Sequence, residues 1–142
     1  MRAELTAARP PATWPRKLAA AILILYWIAL VAGTHVPQPP VLIFPRALTD
    51  KWLHMMAYAG LAFLLSLNWA LWRPWGWWHS VAILGALAAF GALDEITQIP
   101  VGRDCDPIDW VADVIGSAAG LAIFLVVRTA WRMVAVRQAS LH

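Results

Sequence analysis

Asp50, Asp94, Glu95, Asp104, Asp106, Asp109 and Asp113 are seven of the chain's eight acidic residues, and they lie in or beside stretches apolar enough to cross a membrane. An ionisable group at the centre of a membrane helix costs about 2.5–3.5 kcal/mol on insertion scales, so such groups seldom sit there without a partner or a task. Lys51, His54, Tyr58, Gln98 and Arg103 recur among them. Crowded carboxyl groups raise one another's proton affinity through desolvation and like-charge repulsion, and a protonated carboxyl beside an ionised one is what general acid/base chemistry needs. The basic residues suit an anionic head group, which they would hold by charge-assisted hydrogen bonds.

Spacing directs these groups inward. Lys51, His54 and Tyr58 stand at i, i+3 and i+7, on one helix face. Asp50, at the start of that apolar run, has a plain alternative as a helix N-cap, and Lys51 has one as a side chain snorkelling to the membrane interface. Gly85, Ala88 and Gly91 form a small-residue stripe that suits close helix contact. The stripe predicts that Glu95 faces the bundle with Gln98 one turn above it, while Asp94 pairs with a cation or lies nearer the rim. A structural ion pair with Lys51 or Arg103 is the alternative role for Glu95. Asp109, Asp113, Gly116 and Gly120 run i, i+4, i+7 and i+11, again one face, with the glycines allowing a neighbouring backbone to approach. Asp106 or Asp109 could instead cap that helix, with Pro107 in its first turn. Glu95, His54 and Asp109 are expected to meet directly or through one water.

The same ligands could hold a hard divalent cation, yet no tight metal-ligand spacing is present, and neither a metal nor a cofactor is assigned. Cys105 is the only cysteine, so no internal disulfide exists, and it reads as a small loop residue.

The elements that must position these groups are helices. The chain has 142 residues, is 61% hydrophobic and only 13% charged, against about 25% charged in a soluble domain, so lipid is its main solvent. Four apolar spans are readable, at about 18–34, 52–72, 77–99 and 108–127. Each approaches the roughly 20 residues that cross a membrane as a helix, the form lipid demands of a single segment. The expected fold is all-α, a bundle of four transmembrane helices over residues 17–128, with tails at 1–16 and 129–142. The first span exceeds the about 7–15 apolar residues of a signal peptide and lacks a clear cleavage site, so it is expected to stay. Pro37, Pro39, Pro40 and Pro45 break the first connection, Pro74 and Gly76 the second, and Pro100, Gly102 and Pro107 the third. Trp14, Trp72, Trp75, Trp77, Trp78 and Trp131 collect near one expected interface, and Trp52 and Trp110 near the other.

Basic residues set the orientation. Arg2, Arg9, Arg16 and Lys17 precede the first span, Arg73 lies in the second loop, and Arg128, Arg132 and Arg137 follow the last apolar run. By the positive-inside rule both termini are cytoplasmic and the acidic cluster faces the extracytoplasmic side of a bacterial cytoplasmic (inner) membrane. The net charge of +3 forms no basic stripe interleaved with stacking aromatics, which argues against nucleic acid as a partner. Membrane lipid is the expected partner, and no oligomeric state is readable.

Asp50-Lys51-x-x-His54-x-x-x-Tyr58, then Glu95-x-x-Gln98, Gly102-Arg103 and Asp109-x-x-x-Asp113-x-x-Gly116 resemble the VanZ-like family of small polytopic bacterial membrane proteins. The resemblance covers roughly residues 20–127. The family pattern usually has Asn where Asp113 stands, and a slightly longer run before the Gly-Arg pair. The family is named for a protein linked to glycopeptide resistance. The resemblance implies a cell-envelope location and a site at these residues, and it implies no particular reaction.

Three functions compete. The first is a membrane-embedded hydrolase or transferase acting on an amphiphilic envelope substrate, such as a lipid-linked sugar or phosphate. Glu95 would be its acid/base and Asp109 or Asp113 the partner carboxylate. His54 would orient or relay a proton, Lys51 and Arg103 would hold an anionic head group, and Asp50, Tyr58, Gln98 and Asp106 would complete the binding site. The second is a non-catalytic accessory protein that binds a lipid head group or glycopeptide, or uses the polar network only to fix helix packing. The third, transport of an ion or small solute, is weakened by the lack of charge in the inner half of any span.

Overall fold

The computed structural model describes residues 13–35, 50–103 and 105–140, together with the helical backbone of 46–49. The connection bearing Pro37, Pro39, Pro40 and Pro45, most of the N-terminal tail and Asp104 lie outside the described residues. Helix α1 spans Trp14–Thr34, α2 Arg46–Trp72, α3 Trp77–Gln98 and α4 Pro107–Ala139, with a 3-10 turn at Ile99–Val101 between the last two. All four helices are long and apolar enough to cross a membrane.

Local chemistry sets the helix ends. Pro15 sits in the first turn of α1, where its missing N–H is no loss. Asp106 caps α4, its Oδ1 accepting from the Ile108 N–H at 2.9 Å, with Pro107 as the first helical residue. Gly102 ends the 3-10 turn with φ +79°, a left-handed conformation that costs glycine nothing. Two ends differ from the sequence reading. Helix α2 begins at Arg46, so Asp50 lies inside the helix and is not its N-cap. Helix α4 continues through the sequence read as a tail; at 1.5 Å per residue its 33 residues reach about 50 Å, well beyond a 30 Å hydrocarbon core.

Helices α2 and α4 make the most extensive contact, followed by α3 with α4 and α1 with α2. The α2–α4 contact is close because Gly116 and Gly120 lie against the carbonyls of Met55 and Ala59, leaving no space for a Cβ. Gly91 on α3 makes room for the Asp113 carboxyl, and Trp110 Nε1 donates to the Ala88 carbonyl at 2.9 Å. Gly85, expected in the same contact stripe, is exposed and has no neighbour within 4 Å, so the stripe works only from Ala88 onward. Between α1, α2 and α3 a core forms from Leu30, Tyr58, Leu61, Ala62, Ile83 and Leu87. Tyr26 of α1 reaches across to donate to the Ala57 carbonyl at 2.9 Å. Ile24, Leu25, Ile28 and Val81 face outward, an apolar exterior of the kind lipid covers.

Candidate functional site

The chain alternates direction, so the end of α1, the start of α2, the end of α3 and the start of α4 gather at one end of the bundle. Every acidic residue among the described ones lies there. Lys51 of α2 donates to Asp106 Oδ2 at 2.8 Å and to Asp109 Oδ1 at 2.9 Å, tying α2 to the first turn of α4. The ammonium beside it holds the Asp106 carboxyl below the usual carboxylate range, and the Ile108 N–H adds to that effect. The turn at Gly102 carries Arg103 back toward α2, where a guanidinium nitrogen lies 3.4 Å from Asp50.

Deeper, three groups from three helices meet. His54 Nδ1 is 3.0 Å from Asp113 Oδ1 and 4.0 Å from Glu95 Oε1. His54 is 4% exposed, Glu95 3% and Asp113 0%, so water contributes little to their solvation. An ionised Asp113 only accepts, so opposite it the imidazole donates from Nδ1, and Nε2 is then the basic nitrogen when the ring is neutral. Glu95 Oε2 accepts from the Asp106 backbone N–H at 3.1 Å, fixing the end of α3 to the start of α4. Gln98, also buried, approaches both neighbouring carboxyls, with Nε2 at 3.4 Å from Asp94 Oδ2 and 3.5 Å from Glu95 Oε1. Adjacent carboxylates on a helix point well apart, yet a side chain one turn above reaches between them.

His54 neighbours both Glu95 and Asp109, each in a different trio. The potential ligand atoms of His54, Glu95 and Asp113 all lie within 4.8 Å of one another, as do those of Asp50, His54 and Asp109. Either trio could coordinate a cation, and sequence spacing hides both because each draws ligands from more than one helix. Of the two expectations for Asp94, exposure near the rim gives way to burial: it accepts from Thr34 Oγ1 at 3.2 Å, and His35 Nδ1, a cation when protonated, lies 3.8 Å away. Thr34 and His35 were not among the predicted site residues. The available signal was their place in the last turn of the first span, at the same end as the cluster.

A cavity of about 290 Å³ lies between α1 and α2 and is lined by Leu30, Thr34, Asp50, His54, Tyr58 and Arg103. It joins the apolar sides of two helices to the polar cluster. Tyr58 is wholly buried, and its hydroxyl has no hydrogen-bond partner among the described residues. Asp113 Oδ2 is in the same condition.

The fold and site therefore define an all-helical protein with four helices able to span a membrane and a buried imidazole–carboxylate cluster at one end of the bundle. Comparison with protein-family models, with curated proteins and with solved structures finds no match.

Proposed function

We propose that the chain is a VanZ-like integral protein of the bacterial cytoplasmic membrane, with its acidic cluster on the extracytoplasmic side, and that it is a hydrolase or transferase for an amphiphilic envelope substrate with an anionic head group. One observation carries this reading: the buried His54–Asp113 pair has Glu95 beside it, and His54 itself lines the cavity between α1 and α2. An amphiphile fits such a cavity, its tail along Leu30 and its head group near Arg103. Asp113 orients the imidazole, whose Nε2 takes the proton of an attacking water or alcohol. That oxygen forms the new bond to the head group, while the bond to the leaving oxygen breaks and Glu95 supplies its proton. Lys51, held by Asp106 and Asp109, positions the start of α4, and Arg103 offers the cation nearest the head group.

A second, non-catalytic reading has its own support. Lys51 with Asp106 and Asp109, and Arg103 with Asp50, are cross-element pairs that lock the bundle end without any reaction. The two readings separate on covalent change. Purified wild-type and Glu95→Gln proteins would be incubated with bacterial envelope lipid extract and the lipids analysed by mass spectrometry. A species consumed by wild type alone supports the enzyme. No conversion, with a lipid retained equally by both proteins, would replace it by the accessory role.

A further inference from the structure

A second cavity lies at the other end of the bundle, away from the acidic cluster. It encloses about 550 Å³ between the second half of α2, the loop after it and α4. Its inner wall is apolar, with Phe63, Leu67 and Phe124, and its mouth carries Arg73, Arg128 and Arg132. From Phe63 to Arg73 the chain advances ten positions, about 15 Å along a helix, which is the depth of one leaflet's hydrocarbon.

Charge is one-sided here. All acidic side chains among the described residues are at the opposite end, so no described carboxylate side chain lies in the region of these arginines. Arg128 and Arg132 lie close enough to repel each other. The Arg128 guanidinium is held 5.8 Å from the centroid of the Trp75 ring, which fixes it at the mouth. Converging guanidinium groups above an apolar slot match a phosphate carrying an acyl chain, since Arg recognises phosphate through paired N–H donors and basic pockets between membrane helices take anionic lipid heads.

We propose that this groove is a binding site for an anionic phospholipid, the phosphate at Arg73, Arg128 and Arg132 and an acyl chain along Phe63, Leu67 and Phe124. The occupant differs from an inorganic anion, which leaves the apolar wall uncovered, and from a zwitterionic lipid, which brings no net charge to the arginines. The inference is independent of the reaction proposed at the other end and of which end faces the cytoplasm.

The full chain, reconstituted in nanodiscs of mixed phosphatidylglycerol and phosphatidylcholine, would be released and analysed by native mass spectrometry. Wild type is expected to retain phosphatidylglycerol in preference to phosphatidylcholine. An Arg128→Gln/Arg132→Gln protein is expected to lose about thirtyfold of that preference, from the loss of two interfacial cations. Arg128→Lys/Arg132→Lys should recover part of it. Far-ultraviolet circular dichroism and the unfolding midpoint of each variant show whether the bundle persists. Equal retention of both lipids by wild type, an unchanged preference in the glutamine variant, complete displacement by inorganic phosphate, or a second copy of the chain in place of lipid would each overturn the proposal.

Discussion

Gly116 of α4 lies directly against the carbonyl of Met55 of α2, and a Cβ at position 116 would fall 2.8 Å from the Met55 carbonyl carbon. This contact sets the site above it, because His54 precedes Met55 in the chain and Asp113 is one turn before Gly116. The 3.0 Å approach of His54 Nδ1 to Asp113 Oδ1 therefore depends on two backbones meeting without side chains between them. Gly116→Ala should force the helices apart and destabilise the bundle by about 1–3 kcal/mol, the usual range for overpacking a tight contact. Gly85→Ala, at an exposed position with no neighbour within 4 Å, should change stability by no more than about 0.5 kcal/mol. Thermal unfolding of both proteins in detergent, followed by circular dichroism, decides the matter. Equal midpoints would remove the glycine contact as the determinant of helix spacing.

Lys51 is the sole ammonium in contact with both Asp106 and Asp109 among the described residues. Lys51→Met leaves two carboxylates facing each other's neighbourhood without a counter-charge, one of them buried. The expected loss is about 1–3 kcal/mol, less than for a fully buried pair because Asp106 is partly solvated. Lys51→Arg should recover part of it. A Lys51→Met protein as stable as wild type in chemical unfolding would show that the pair contributes only position.

The pH dependence follows from Asp106. Its carboxyl is held below its ordinary value in the folded state, chiefly by the Lys51 hydrogen bonds, so the folded chain binds its proton less readily than the unfolded chain. Its contribution to stability is complete above the ordinary carboxylate value near pH 4 and is lost as pH falls below that through the folded value. Asp106→Asn should therefore unfold at a lower temperature than wild type at pH 6, with the difference shrinking between about pH 4 and pH 2. A constant difference across that range would assign the effect to the helix cap and not to the charge.

The faces of α3 and α4 were legible in the sequence because small residues mark them, and that of α2 because Lys51, His54 and Tyr58 share one side. Gly116 and Gly120 point Asp109 and Asp113 inward, and Gly91 does the same for Glu95. Asp106 as the α4 cap was among the readable alternatives, as Asp-Pro before an apolar run has few other uses. Asp50 misled because hydropathy reports where the apolar run begins, whereas Arg46-Ala47-Leu48-Thr49 already takes helical backbone. The extension of α4 past residue 127 has the same cause: Arg128, Arg132 and Arg137 end the apolar run but are good helix formers. Thr34 and His35 could not be joined to Asp94 from one sequence, since nothing in a linear pattern states which helices are neighbours.

Chelation separates acid/base chemistry from metal chemistry at the same residues. In the acid/base role His54 and Glu95 must exchange protons, which coordination would prevent. Turnover of the envelope substrate should therefore survive treatment with a strong chelator and dialysis. Loss of turnover that returns on adding manganese or zinc would transfer His54, Glu95 and Asp113, whose ligand atoms lie within 4.8 Å of one another, from proton transfer to metal binding.

Cys105 offers a direct reading of which way the site faces. It is exposed, it is the chain's one thiol, and it stands next to Asp106 at the mouth of the cluster. The orientation proposed above, from the basic residues around α1 and α4 and the positive-inside rule, has that end outside the cytoplasm. A membrane-impermeant maleimide added to intact spheroplasts should then modify Cys105 without permeabilisation. In a Cys105→Ser/Ala139→Cys protein the thiol moves to the exposed far end of α4, and labelling should require lysis. The opposite pattern would invert the protein, put the acidic cluster on the cytoplasmic face and exclude substrates confined to the outer leaflet. Labelling of both positions in intact spheroplasts would instead show that α4 does not cross the membrane once, which would remove the four-span topology itself.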